Sequence, residues 1–136
     1  MYQSSTQIRV RYAETDQMGY VYYGNYAMYC EVARVESLRS LGLEYKNMEK
    51  EHQIMMPVLE HYSKFIRPAF YDDLLTIKVF IPELPQGRIR FEYEIYNQEQ
   101  TLIHKAYTTL VFVGMQTFKP VPCPEYFLDI LKPYYT

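Results

Sequence analysis

From Asn25 to Leu41 the chain contains neither glycine nor proline, and Gly24 and Gly42 bracket that span. The stretch NYAMYCEVARVESLRSLG is therefore expected to form a helix of about four to five turns, with Asn25 as N-cap and Gly42 at the C′ position. Tyr26, Cys30, Ala33, Ser37 and Leu41 recur every three or four residues and share one face of that helix. These side chains are mostly small, so a sheet can approach closely. Glu31, Arg34 and Arg39 are expected at polar positions elsewhere on it. A helix this long with one apolar face cannot stand free in water, and the rest of the chain must supply the surface that covers it.

That surface is legible as alternation. In QIRVRY, residues 7–12, Ile8, Val10 and Tyr12 point one way and Arg9 and Arg11 the other, as in a half-buried strand. After the helix, GLEYKNMEKEHQI reads as a polar connection, partly helical. Four strand-like segments follow. Residues 54–70 carry Pro57 and Pro68, which fit an edge, a bulge or strand ends. Residues 74–81 place Leu75, Ile77, Val79 and Ile81 on one face. Residues 88–96 alternate most cleanly, with Ile89, Phe91, Tyr93 and Ile95 inward and Arg88, Arg90, Glu92 and Glu94 outward. Residues 102–114 form the last strand, and 124–132 a short terminal helix starting at Pro124. Short turns between strands make antiparallel neighbours. The fold class is α+β: an antiparallel five-stranded sheet wrapped around one long central helix.

At 136 residues the chain reads as one domain, 1–136. A net charge of -2 argues against a general nucleic-acid binder. No apolar run approaches the roughly 20 residues that span a bilayer, and the N-terminus has no secretory signal pattern. Cys30 and Cys123 lie far apart without metal spacing, which points to unpaired thiols and a cytoplasmic protein. His52, His61 and His104 likewise have no metal spacing and none is near Asp16 in sequence, so structural or surface roles are expected. No G-x-S-x-G nucleophile elbow and no phosphate-binding loop of the Walker type occurs.

The chemistry concentrates in YAETDQMGYVYYGNYA, residues 12–27. Here Asp16 is the one acid on an aromatic and apolar path between Thr15 and the helix. Gly19 and Gly24 allow the loop to bend back. The N–H groups of Tyr23, Gly24 and Asn25 stand at the head of the helix, where amides lack intrahelical partners and the helix dipole adds positive charge. A carboxylate beside such donors is the minimum for acyl-transfer hydrolysis: one group attacks or activates water while the amides hold the oxyanion.

Two motifs carry a resemblance. Thr15, Asp16, Gly19, Val21, Tyr22, Tyr23, Asn25 and Tyr26 match the pattern T-D-x-x-G-x-V-Y/F-H/Y-x-N-Y followed by a helix. Pro57, Val58, Glu60, Arg67, Pro68, Ala69, Tyr71, Asp73 and Leu75 match a second, P-V-x-E, a strand, then R-P-A-x-Y-x-D-x-L. Together they resemble the hotdog-fold acyl-CoA thioesterases, specifically the 4-hydroxybenzoyl-CoA thioesterase-like group, over nearly the whole chain. The resemblance implies that Asp16 is nucleophile or general base on a thioester and that the Tyr23 amide polarises its carbonyl. Many relatives have His where this chain has Tyr23, so any side-chain acid–base role there is in question. Gly24, Asn25 and Tyr26 complete the candidate site. The resemblance further implies dimers or tetramers with sites at the dimer interface, CoA entering as part of the substrate, and no other cofactor or metal. Lys64, Arg67, Arg88, Arg90 and Lys105 are the candidates to meet CoA phosphates. An acyl-carrier-protein thioesterase and a non-catalytic acyl-thioester binder are the alternatives. A hydratase is disfavoured because no His follows Asp16.

Overall fold

The computed structural model describes residues 1–136. It contains seven strands: β1 (Tyr2–Arg9), β2 (Ile54–Met55), β3 (Val58–Phe65), β4 (Leu74–Ile81), β5 (Arg88–Tyr96), β6 (Leu102–Val111) and β7 (Val113–Gly114). Three helices, α1 (Asn25–Ser40), α2 (Tyr45–His52) and α3 (Glu125–Leu131), complete the α+β architecture. The main sheet has the order β1-β4-β5-β6-β3, and every neighbouring pair in it is antiparallel. β2 and β7 form a small separate ribbon. No helix is long and apolar enough to cross a membrane.

The alternation in β4 and β5 does what the side-chain period demands. Leu75, Ile77, Val79 and Ile81 are completely buried, as are Phe91 and Ile95, while Lys78, Arg88 and Arg90 face outward. α1 lies closest to β1 and β4 and buries Tyr26, Tyr29, Cys30, Ala33, Arg34, Ser37 and Leu38. The hydroxyl of Tyr2 donates to the Ser37 carbonyl at 3.2 Å and so pins β1 to the helix. Coverage is therefore uneven. The β1–β4 half of the sheet is roofed by α1, whereas β3, at the far edge, is exposed along almost its whole length.

Several local expectations are corrected. β1 begins at Tyr2, because backbone pairing with β4 recruits the polar run QSSTQ, which carries no apolar alternation. It ends at Arg9, and Tyr12 is exposed within a short 3-10 turn, Tyr12–Glu14. The N-cap of α1 is Gly24; Asn25 is already helical, and its side chain donates instead to the Glu14 carbonyl at 2.7 Å. Arg34, expected at a polar position, is buried. The segment 54–70 splits into β2 and β3, with Pro57 in the gap and Pro68 beyond the second strand. Gly42 does follow the helix at φ +80, a conformation that glycine adopts without strain.

Candidate active site

The loop from Thr15 to Gly24 closes on itself through backbone hydrogen bonds. Asp16 N–H donates to the Tyr20 carbonyl at 3.0 Å, and Gly19 N–H donates to the Asp16 carbonyl at 2.9 Å. The tight turn requires φ +89 at Gly19, which explains the glycine. Val21 N–H donates to the Ala69 carbonyl at 2.9 Å, tying the loop to the β3–β4 connection. One carboxylate oxygen of Asp16, Oδ1, accepts from the Met18 amide at 2.9 Å, while Oδ2 has no protein partner.

The loop is anchored to α1 by Glu14, which sequence reasoning passed over. Its carboxylate is buried and fully occupied. Oε1 accepts from the Arg11 amide at 2.8 Å and the Tyr29 hydroxyl at 2.9 Å; Oε2 accepts from Arg11 Nε at 3.1 Å and Nη2 at 3.0 Å. Its carbonyl accepts from Tyr22 N–H at 2.9 Å and from the Asn25 side chain at 2.7 Å. Burial alone would raise the Glu14 carboxyl pKa, but these hydrogen bonds and the Arg11 charge outweigh it and hold the group below its ordinary value. The only signal in the sequence was an arginine three residues before a glutamate, which is too common to single out.

At the helix entrance Tyr22 N–H is taken by Glu14, Asn25 N–H by the Tyr22 carbonyl at 2.9 Å, and Tyr26 N–H by the Tyr23 carbonyl at 3.3 Å. The amides of Tyr23 and Gly24 donate to no group in the chain. A Cβ at Gly24 would lie 2.9 Å from Cε2 of Tyr22, so the exposed Tyr22 ring that folds over the glycine would have to shift to admit one.

Asp16, Tyr23 and Tyr26 line one open cleft of about 530 Å³, together with Met18, Tyr20, Val21 and Tyr22 from the loop and Phe65, Ile66, Arg67 and Pro68 from the end of β3. Its size suits a small-molecule site. Eight of its eleven lining residues are hydrophobic, leaving Asp16 and Arg67 as the two charged groups. Arg67 forms no ion pair within the chain.

The remaining candidates sit elsewhere in the single chain. Lys64 is adjacent to Phe65 in β3 and so points to the opposite face of the sheet, directly across from Lys105. Arg88 and Arg90 border a different cleft with Glu83 and Glu92. Arg90 is committed there, bonding Glu92 at 2.9 Å and lying 3.8 Å over the Tyr107 ring. Gly24 and Asn25 flank the Asp16 cleft without lining it. Glu36, the acid in the middle of α1, is half exposed and paired with Arg39. No cluster of three or more potential metal ligands is present.

The model of the thioesterase-like superfamily matches residues 10–131. This chain belongs to that superfamily. The resemblance carried by the two motifs is thus borne out at the level of the family. YneP of Bacillus subtilis (strain 168) is 34% identical over 129 residues, covering 95% of this chain and 93% of its own length. The acyl-CoA thioesterase YbgC of Haemophilus influenzae is 30% identical over 121 residues, 89% of this chain and 88% of the relative. Among solved structures, a DHNA-CoA thioesterase from Staphylococcus aureus superposes with a TM-score of 0.90 at 36% identity, covering 98% of this chain and 89% of that one. The superfamily member described here shares their hotdog-type α+β fold.

Proposed function

We propose that this thioesterase-like protein hydrolyses an acyl-CoA to a free acid and CoA, with Asp16 acting on the thioester and the Tyr23 amide polarising its carbonyl. The observation that carries the reading is that Asp16, with an unoccupied carboxylate oxygen, lines the same cleft as Tyr23, whose N–H lacks an acceptor. A thioester carbonyl seated at the head of α1 would develop its negative charge against the Tyr23 and Gly24 amides, reinforced by the helix dipole. Asp16 then has two routes. As nucleophile, Oδ2 adds to the carbonyl carbon, the C–S bond breaks, the thiolate leaves, and water hydrolyses the resulting anhydride. As general base, Asp16 takes a proton from water while the water oxygen adds to the carbonyl, and the same C–S bond breaks.

Tyr26 and Asn25 hold the helix entrance in this reading, and Arg67 is the one candidate cation at hand for a CoA phosphate. The names of the relatives support acyl-CoA as the substrate class. The protein is read as a single cytoplasmic domain with α1 as the central helix around which the sheet curls. It is read as a homo-oligomer, a dimer or tetramer, which would also cover exposed β3, and as needing no cofactor beyond its substrate.

The test is Asp16→Asn, an isosteric change that retains a hydrogen-bond acceptor for the Met18 amide. With a panel of acyl-CoA substrates and a colorimetric thiol assay, turnover should fall by a factor on the order of 10³ or more while the melting temperature stays near that of the parent. An unimpaired variant removes Asp16 from the chemistry. In a single turnover in ¹⁸O-labelled water, label in the Asp16 carboxylate would establish the nucleophilic route, with water attacking the aspartyl carbonyl of the anhydride, whereas label in the released acid alone fits either route.

A further inference from the structure

His104, on β6, is a buried titratable group that no step of the proposed hydrolysis uses. Its imidazole is wholly buried and lies behind the wall of the Asp16 cleft without lining it. It stacks on the Tyr26 ring, with centroids 4.4 Å apart and planes 11° from parallel, and meets the Phe65 ring edge to face at 4.8 Å and 73°. Tyr26 and Phe65 meet each other at 5.3 Å and 85°, so the three rings close a triangle in which every pair touches. Such contacts are directional, because the face of a ring is electron-rich and its edge is not. Tyr26 and Phe65 are the members that line the cleft, one from α1 and one from β3. His104 backs both.

A chain of hydroxyls fixes the proton on that imidazole. Arg34 Nη1 donates to the Tyr93 hydroxyl at 3.0 Å and Nε donates to the Tyr45 hydroxyl at 3.1 Å. Arg34 is only 7% exposed, yet no carboxylate lies within ion-pair distance, so these phenols answer its charge. Thr108 donates its one hydroxyl proton to Tyr93 at 3.0 Å. Thr108 Oγ1 can therefore only accept from His61 Nδ1, 3.4 Å away. Both imidazoles are neutral near neutral pH: burial lowers each pKa from 6.5, with Arg34 adding to the effect at His61 and His61 at His104. A neutral His61 protonated on Nδ1 has a bare Nε2, which accepts from Ser63 Oγ at 2.9 Å. Ser63 Oγ in turn accepts from His104 Nε2 at 3.1 Å. His104 is thus the Nε2–H tautomer, with a bare Nδ1 that has no partner in the chain.

We infer that His104 is a positioning residue of the Asp16 site: held as the Nε2–H tautomer by the hydroxyl chain, its ring seats Tyr26 and Phe65 and so aims the Tyr23 and Gly24 amides into the cleft. The inference rests on the thioester hydrolase reading and adds a residue to that site. Tyr26 makes the connection. It lies in the first turn of α1, and its N–H donates to the Tyr23 carbonyl at 3.3 Å. That carbonyl and the Gly24 N–H belong to the same planar peptide unit. One plane therefore carries both the acceptor that Tyr26 grips and one of the two free donors, and a tilt of Tyr26 turns the donor with it. An oxyanion donor works only when it is held where the charge will develop, so the cost of a tilt falls on the rate more than on substrate binding.

The test uses the full chain with three substitutions. His104→Phe keeps a flat ring against Tyr26, His104→Leu fills the space without a flat face, and Ser63→Ala removes the hydroxyl that sets the tautomer. In the thiol-release assay His104→Leu should lower kcat by on the order of tenfold with KM changed by less than about threefold, and His104→Phe should restore most of the loss. Parental kcat in His104→Leu, or an equal loss in both variants, overturns the inference. Nitrogen-15 NMR of the parent should place the His104 proton on Nε2; a proton on Nδ1 also overturns it. The amide signals of Tyr23 and Gly24 read the positioning without turnover: they should move in His104→Leu and in Ser63→Ala and stay near their parental places in His104→Phe. Ser63 is half-buried on an exposed strand, so its variant decides the matter where His104→Leu fails to fold, and unmoved amides there overturn the inference. Amides that move in a chain that hydrolyses no thioester would support the positioning and defeat only the hydrolase reading.

Discussion

Lowering the pH should destabilise this protein well before its carboxylates protonate, because of His104. The imidazole is wholly buried between Tyr26 and Phe65, and burial, with His61 as a lesser cause, pushes its pKa from 6.5 down to about 4. In the unfolded chain it would protonate near 6.5. As pH falls, the unfolded state therefore takes the proton first, and stability is drained towards it. The contribution is whole above 6.5, declines between 6.5 and about 4, and is gone below that. At about 1.4 kcal/mol per pH unit the full loss is about 3 kcal/mol, with about 2 kcal/mol already lost near pH 5. His61 is shifted in the same direction by burial and by Arg34, and adds to the slope. Urea denaturation at a series of pH values from about 8 to about 4.5 measures the loss. His104→Gln preserves a partner for Ser63 and cannot titrate, so its stability should fall less steeply over the same interval. An NMR titration placing the His104 imidazole near 6.5, or an identical slope in the variant, would refute the reasoning.

Glu14→Gln leaves Arg11 without its charge partner and turns a donor toward a site where four donors converge; a loss of about 1–3 kcal/mol in urea unfolding is expected, and a neutral result would show that the carboxylate is not the anchor. Because the folded-state pKa of Glu14 is lowered, its contribution in the parent should vanish only as pH falls below about 4.5. Gly24→Ala pushes a methyl against the Tyr22 ring, so thiol release should drop by about tenfold or more with a melting temperature changed by only a few degrees. Parent-like turnover would mean that the ring moves freely. Arg34→Met removes a buried cation that has no carboxylate, and thermal unfolding should show a change within about 1 kcal/mol or a gain; a loss beyond about 3 kcal/mol would mean that the phenol hydrogen bonds are worth more than the desolvation they accompany.

The periodic parts of the chain were readable because periodicity is local. Leu75 to Ile81 and Ile89 to Ile95 alternate, and a proline-free span closed by Gly42 makes a helix wherever it is placed; the T-D-x-x-G motif likewise marked Asp16 and Tyr23. What distance in space decides was hidden. QSSTQ became a strand only because β4 offered its backbone groups, and Asn25 lost the N-cap because the Glu14 carbonyl was within reach of its side chain. Arg67 came to the Asp16 cleft while Lys64, Arg88 and Arg90 went elsewhere, since strand direction and pleat assign each side chain to one face. The pairing of β3 with β6 likewise brought His61, Ser63 and His104 together across some forty residues of chain. Residue order carries the short-range preferences of each segment. Which charged and hydrogen-bonding groups share a cavity depends on sheet register, and that register is settled by contacts between residues remote in the chain.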